Sequence, residues 1–253
     1  MANLTIDLNK SVEQNAAVYY EKAKKAKRKL EGALAVVRRY EQELQKLERP
    51  KPEAKETKKA VKREWFEKYR WFYSSEGFLV IGGRDATTND MIIKKHAAAD
   101  DIVFHTDMAG SPFFVIKTEG KKPGNATMQE AADATCSFSR AWKLGLSTQS
   151  VFHVAPEQVT KTANTGEYLT KGAFVIRGRT NYLPNRINLA AGIYGGRIMC
   201  APLEAVKKHC KDFIVLKQGA LKPSDAAKII RKKLSHDDLD EIIRALPSGN
   251  IEL

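Results

Sequence analysis

The chain has 253 residues, enough for one large domain or a medium domain with an appendage, and its 43% hydrophobic content permits a packed core. Three scattered cysteines, Cys136, Cys200 and Cys210, exclude a disulfide framework, and with no CxxC pair a zinc site is not expected. The net charge is +13, and residues 21–64 hold 16 Lys and Arg against 8 Asp and Glu, a net +8 in about a sixth of the chain. Such a segment attracts polyphosphate, although a solvated helix face would carry it too. No stretch of 18 uncharged apolar residues is present, so no membrane span is expected, and the N-terminus does not read as a signal peptide. A reducing, cytoplasmic location fits.

The first predicted element is a long helix. Ala16, Tyr19, Ala23, Ala26, Leu30, Ala33, Val37, Tyr40, Leu44 and Leu47 alternate spacings of three and four, a coiled-coil seam. Ser11-Val12-Glu13-Gln14 is a capping box that starts it near Val12. Arg49-Pro50-Lys51-Pro52 ends it, giving a rod of roughly 50 Å. A second helix is expected from Glu53 to about Tyr69, with Val61, Trp65 and Tyr69 on one stripe. The two would form an unequal antiparallel hairpin, residues 1–70. The uncovered part of the seam in residues 12–47 would need a coiled-coil partner or self-association.

From Trp71 the period changes. Trp71–Tyr73 and Phe78–Ile81 read as a β-hairpin. The stretch VIGGRDATTND follows, then a helix from Thr88 or Asn89. Glycines before a helix start can aim N–H groups at an anion, with Arg84 as a phosphate fork. The alternative is a structural loop in which Asp85 pairs Arg84 or caps the helix. Lys94 and Lys95 lie on that helix. A strand at 102–105 ends in His105-Thr106-Asp107, whose His and Asp suit a metal pair, an acid/base pair, an RNA-edge reader or a plain strand-end turn.

Another strand is expected at 113–118. Thr127–Glu130 is a capping box for a helix running to Leu144 and closed by Gly145, with Arg140 and Lys143 on its last turns, where cations complement the dipole. Further strands are expected at 150–155, 173–179, 197–201 and 212–217, with shorter helices after Pro202, Ser224 and Ser235. On the 173–179 strand Arg177 and Arg179 share a face near Asn181 and Tyr182, either a nucleic-acid surface or a charge-blunted edge. Strands outnumber and flank few helices, so the fold class is α+β: a mixed sheet with flanking helices over residues 71–253.

Five ordered stretches, WFEKYRWFYSSEGFLVIGGRDATTNDMIIKKH, DIVFHTDMAGSPFFVIKTEG, EAADATCSFSRAWKLG, VFHVAPEQVTKT and GEYLTKGAFVIRGRTNYL, with IDLNKSVEQNAAVYYEKAKKAK at the front, resemble the NFACT family in archaeal style. They are similar to its coiled coil and its RNA-binding module, NFACT-R. The resemblance implies a factor of ribosome-associated quality control that binds large-subunit rRNA and tRNA on stalled complexes, with no cofactor and no metal. Relatives in several lineages recruit tRNA to extend the nascent chain without a template. The NFACT-N and helix-hairpin-helix domains of full-length members have no counterpart among these motifs, so tailing by this chain alone is not expected. The matching segments, Gly82 to Asn89, His105 to Pro112 and Lys161 to Asn181, carry no catalytic role across. The expected RNA-binding residues are Arg84, Asp85, Asn89, Lys94, Lys95, His105, Asp107, Arg140, Lys143, Lys161, Arg177, Arg179 and Asn181. The rival expectation is an enzyme on RNA or a nucleotide using Asp85, His105 and Asp107.

Overall fold

The structure, a computed structural model, describes residues 5–47, 63–162 and 172–253, the side chains of 42–47 excepted. The chain divides into two compact units, Met1–Lys62 and Arg63–Leu253.

In the first unit α1 spans Val12–Leu47. The Ser11–Gln14 box closes reciprocally: Ser11 N–H donates to Gln14 Oε1 at 3.0 Å, and Gln14 N–H donates to Ser11 Oγ at 3.2 Å. Leu30, Val37 and Tyr40 of the apolar seam are exposed.

The expected second helix lies outside the described residues up to position 62. Its final turn is corrected: Trp65–Lys68 is a 3₁₀ turn, and β1 (Arg70–Tyr73) begins directly after it. Phe66 and Tyr69 are buried, so this stretch packs as core of the second unit. A four-residue Trp65–Tyr69 spacing had the helical period without the helix.

The second unit continues with β2 (Leu79–Gly82), α2 (Ala86–Met91) and a π-helical turn, Ile92–His96. Then come β3 (Ile102–Thr106), β4 (Phe114–Lys117), α3 (Asn125–Ser137), α4 (Arg140–Leu144) and β5 (Val151–Val154). β6 (Val159–Thr160) pairs with β7 (Val175–Ile176), and β8 (Asn181–Leu183) pairs with β5. β1, β2, β4, β3, β5 and β8 form, in that order, one six-stranded antiparallel sheet. α3 packs on its β3–β4–β5 centre, over Phe104 and Phe114, which are fully buried. Burial of each such ring is worth about 1.5–3 kcal/mol.

A second antiparallel sheet follows the order β10-β9-β11-β12, from β9 (Leu189–Tyr194), β10 (Arg197–Ala201), β11 (Phe213–Leu221) and β12 (Ile251–Glu252). Helices α5 (Leu203–His209), α6 (Pro223–Lys233) and α7 (Leu239–Ala245) flank it. β9 and β10 are joined at Gly195–Gly196, both with positive φ, as a tight hairpin requires. The architecture is α+β.

Two further expectations change. The 127–144 helix begins at Asn125 and breaks at Phe138–Ser139. Its N-terminus is capped from a distance: the Glu76 carboxylate of the β1–β2 turn accepts from the N–H groups of Gly124 (3.1 Å) and Thr127 (3.0 Å) and from the Thr127 hydroxyl. The 173–179 strand stops at Ile176, because Gly178 takes a left-handed φ of 83°. Arg177 and Arg179 therefore flank a turn and do not alternate along a strand.

Candidate functional site

The β2–α2 loop answers the question its glycines pose. Gly83 N–H donates to the Phe113 carbonyl at 3.0 Å. Arg84 N–H and Asp85 N–H both donate to Thr88 Oγ1, at 2.8 and 2.9 Å. Three successive donors are thus used inside the protein and are not aimed at an anion. The helix cap is Asp85, not Thr88 or Asn89: its Oδ1 accepts Thr88 N–H at 2.8 Å. Asn89 is buried and its Oδ1 accepts Phe113 N–H at 3.1 Å, tying this loop to the next. Arg84 turns inward, with Nη2 donating to the carbonyls of Tyr69 (2.7 Å) and Glu67 (3.3 Å).

These loops form one side of a cleft of about 500 Å³. Arg84, Asp85, Asn89, His105, Arg140 and Lys143 line it, together with Phe113, Phe174 and Ser139. His105 stacks on Phe113 with ring centroids 4.0 Å apart, and Phe174 meets Phe113 edge-on. His105 Nε2 lies 3.3 Å from the Ser111 carbonyl. Burial, above all, holds its pKa below the ordinary histidine value, so the ring is neutral near pH 7.

Arg140 and Lys143 are exposed at the rim and make no ion pair among the described residues. The helix break matters for Arg140. It opens α4 immediately after the cap Ser139, where the helix dipole disfavours a cation. Dipole complementarity therefore accounts for Lys143, in the last turn, but not for Arg140.

The other sequence-predicted residues fall elsewhere. Asp90 gathers Lys161 (2.9 Å) and Lys94 (3.4 Å) and accepts Gly172 N–H. Burial pushes the Asp90 pKa up, but Lys161 and Lys94 outweigh it and the net direction is down. Lys161 also sits over the Phe174 ring at 4.2 Å. Lys95 is exposed. Gln158 Nε2 donates to both the Arg177 and Arg179 carbonyls, pinning their turn and leaving both side chains exposed. Asn181 is exposed at the start of β8, opposite His153.

Asp107 does not line the cleft. Its carboxylate accepts the Tyr182 hydroxyl at 3.2–3.3 Å. Asp85, His105 and Asp107 thus do not converge, and Asp85 is engaged as a cap. Among the described residues no group of three His, Cys, Asp or Glu is placed to hold a metal ion, and no helix is long and apolar enough to cross a membrane.

Sequence reasoning missed Arg70. It is only 8% exposed, lines the cleft, stacks on Phe138 at 4.2 Å and donates through Nη1 to the Leu246 carbonyl at 3.0 Å. The signal was a cation inside an aromatic strand, Tyr69-Arg70-Trp71-Phe72.

An α+β unit with a cleft lined by aromatic rings and edged by cations that make no ion pair among the described residues is of the kind that holds nucleic acid. Residues 68–178, which supply most of that cleft, match the NFACT protein RNA binding domain. The Archaeal Rqc2 homolog aRqcH of Methanocaldococcus jannaschii is 42% identical over 205 residues, 78% of this chain and 30% of that protein. The ribosome quality control complex subunit NEMF of Homo sapiens is 39% identical over 175 residues, 67% of this chain and 16% of that protein. A solved structure, the C-terminal of the fibronectin/fibrinogen-binding protein from Streptococcus suis, covers 69% of this chain and 76% of its own at 18% identity, with a TM-score of 0.40, too loose a likeness to carry weight. The chain belongs to the NFACT family. It spans less than a third of the length of these two relatives.

Proposed function

We propose that this chain is the RNA-binding part of a ribosome-associated quality control factor, acting in the cytoplasm on large-subunit rRNA or tRNA of stalled complexes. The observation that carries the reading is the pair Arg140 and Lys143. Both are exposed and without an ion-pair partner among the described residues, at the rim of an aromatic-floored cleft inside the matched RNA-binding domain. Phosphates meet these cations, and Lys95, Arg177 and Arg179 supply further exposed contacts. Asp85, Asn89 and Asp107 hold loops in place. The reading is non-catalytic: Asp85 is used to cap α2 and Asp107 to hold Tyr182. The exposed seam of α1 serves a coiled-coil partner or self-association. Co-sedimentation of the chain with purified large ribosomal subunits tests the proposal. Arg140→Gln with Lys143→Gln lowers the bound fraction at moderate salt without changing the melting temperature; undiminished binding refutes it.

A further inference from the structure

A second cleft, of about 420 Å³, lies on the other side of Arg70 and Arg84, which line both. Its walls come from the 3₁₀ turn, the start of β1, the start of β10 and the end of α7. Six cations line it, Arg63, Lys68, Arg70, Arg84, Arg197 and Arg244, against three carboxylates, Glu64, Glu67 and Glu241. Two of the carboxylates are already engaged. Glu67 receives Arg197 Nε at 3.3 Å and Glu64 N–H at 3.1 Å. Glu241 receives Ile198 N–H at 2.9 Å and His236 Nε2 at 3.1 Å, with Arg197 at 3.9 Å.

Arg63, Lys68 and Glu64 are exposed, and beside them three arginines remain. Arg70 is buried with only backbone carbonyls and the Phe138 ring as partners. Arg84 is half-buried on backbone carbonyls, and its Nε is buried with no acceptor. Arg244 is exposed and reaches only the Asp240 carbonyl. None of the three has an ion-pair partner among the described residues. They also act on one another. Burial chiefly, opposed by the Cys200 thiol and aided by the like charge of Arg84, brings the Arg70 pKa to about 10; burial, then Arg244, lowers that of Arg84 against the opposite charges of Asp85 and Glu241. Carbonyl dipoles compensate a buried guanidinium only in part, and an anion between such groups relieves both desolvation and repulsion.

We propose that this cleft is a binding site for a phosphate group, held by Arg84 and Arg244 with Arg70 as the buried charge behind it. Its volume exceeds that of a phosphate alone, and the exposed Trp65 on its wall gives a ribose or base an apolar surface to lie on. The ligand class is therefore a phosphate ester, either a terminal phosphate or the internal phosphodiester of RNA. The site uses none of the rim cations of the first cleft, so it stands or fails separately from them.

The test is isothermal titration and thermal melting of the full chain with three probes: inorganic phosphate, uridine 5′-monophosphate and the dinucleotide UpU, each against sodium chloride at matched ionic strength. Saturable binding of at least one probe is expected, weakened about ten-fold by Arg244→Gln and unchanged by Arg231→Gln, an exposed cation of α6 that lines neither cleft. Preference for the monophosphate assigns a terminal phosphate, and equal binding of UpU assigns the backbone; either result supports the site. Arg244 carries only one exposed hydrogen bond, so its variant folds. No response beyond matched salt for any probe, or a response unaltered by Arg244→Gln, overturns the proposal.

Discussion

Replacing Gly83 by alanine probes the contact that joins the two loops of the first cleft. A Cβ on Gly83 falls 1.7 Å from Asn89 Oδ1, 2.8 Å from its Cγ and 3.3 Å from its Cα. The backbone at Gly83 is not left-handed, so the cost is one of space alone. Asn89 must swing away, and Phe113 N–H then loses its acceptor. A buried donor left unsatisfied costs about 1–3 kcal/mol. Overpacking adds roughly 1–3 kcal/mol, offset by about 0.4–1 kcal/mol from the stiffer unfolded chain. The net loss is about 1–5 kcal/mol, or roughly 2–20 °C for a unit of this size. All three tryptophans, Trp65, Trp71 and Trp142, lie in that unit, so urea unfolding followed by tryptophan fluorescence reads it directly. Adding Asn89→Ala to Gly83→Ala should cost at least ~1 kcal/mol less than the sum of the single changes, because both break the same bond. A loss below ~0.5 kcal/mol for Gly83→Ala, or strict additivity, refutes this account of the glycine.

Other outcomes follow from the same structure. Glu76→Gln weakens the remote cap of α3 and lowers stability by about 0.5–2 kcal/mol. The Thr127 hydrogen bonds hold the Glu76 pKa below its ordinary value, so its contribution is present above about pH 4.5 and lost as pH falls through the folded-state pKa; chemical denaturation of wild type and variant therefore converges at acid pH. Burial lowers the pKa of His105 and of His153, so folding favours their neutral forms and melting temperature declines as pH falls below about 6.5; His105→Phe flattens that slope. Burial raises Cys136 and Cys200 to about 12 and Cys210 to about 11, so iodoacetamide at pH 8 leaves all three intact by mass spectrometry until urea unfolds the chain.

Helix α1 was readable because its signals are local: a strict apolar repeat and a box whose two bonds span three residues. The first sheet was largely readable because its strands are short apolar runs between turns. What escaped depended on contacts distant in sequence. The α3 cap comes from Glu76, about fifty residues away, so Thr127–Glu130 looked like the start of the helix. The break before Arg140 hides inside a continuous apolar stripe, yet it changes what that cation does. β9, whose small residues Ala190, Ala191 and Gly192 show no alternation, was missed, although Gly195–Gly196 signalled its hairpin. At the cleft, the sequence brought forward six residues that do meet, but the inward turn of Arg84 depends on the Glu67 and Tyr69 carbonyls. Arg70 was passed over because its partners, the Ala245 and Leu246 carbonyls and the Phe138 ring, are distant in sequence.

The most direct test of the central claim is the salt dependence of binding to purified tRNA or large-subunit rRNA. If Arg140 and Lys143 each neutralise a phosphate, their joint replacement by glutamine reduces the slope of log K against log salt by about 1.4, with folding unchanged. A slope identical to that of the wild type would show that this cleft does not face RNA.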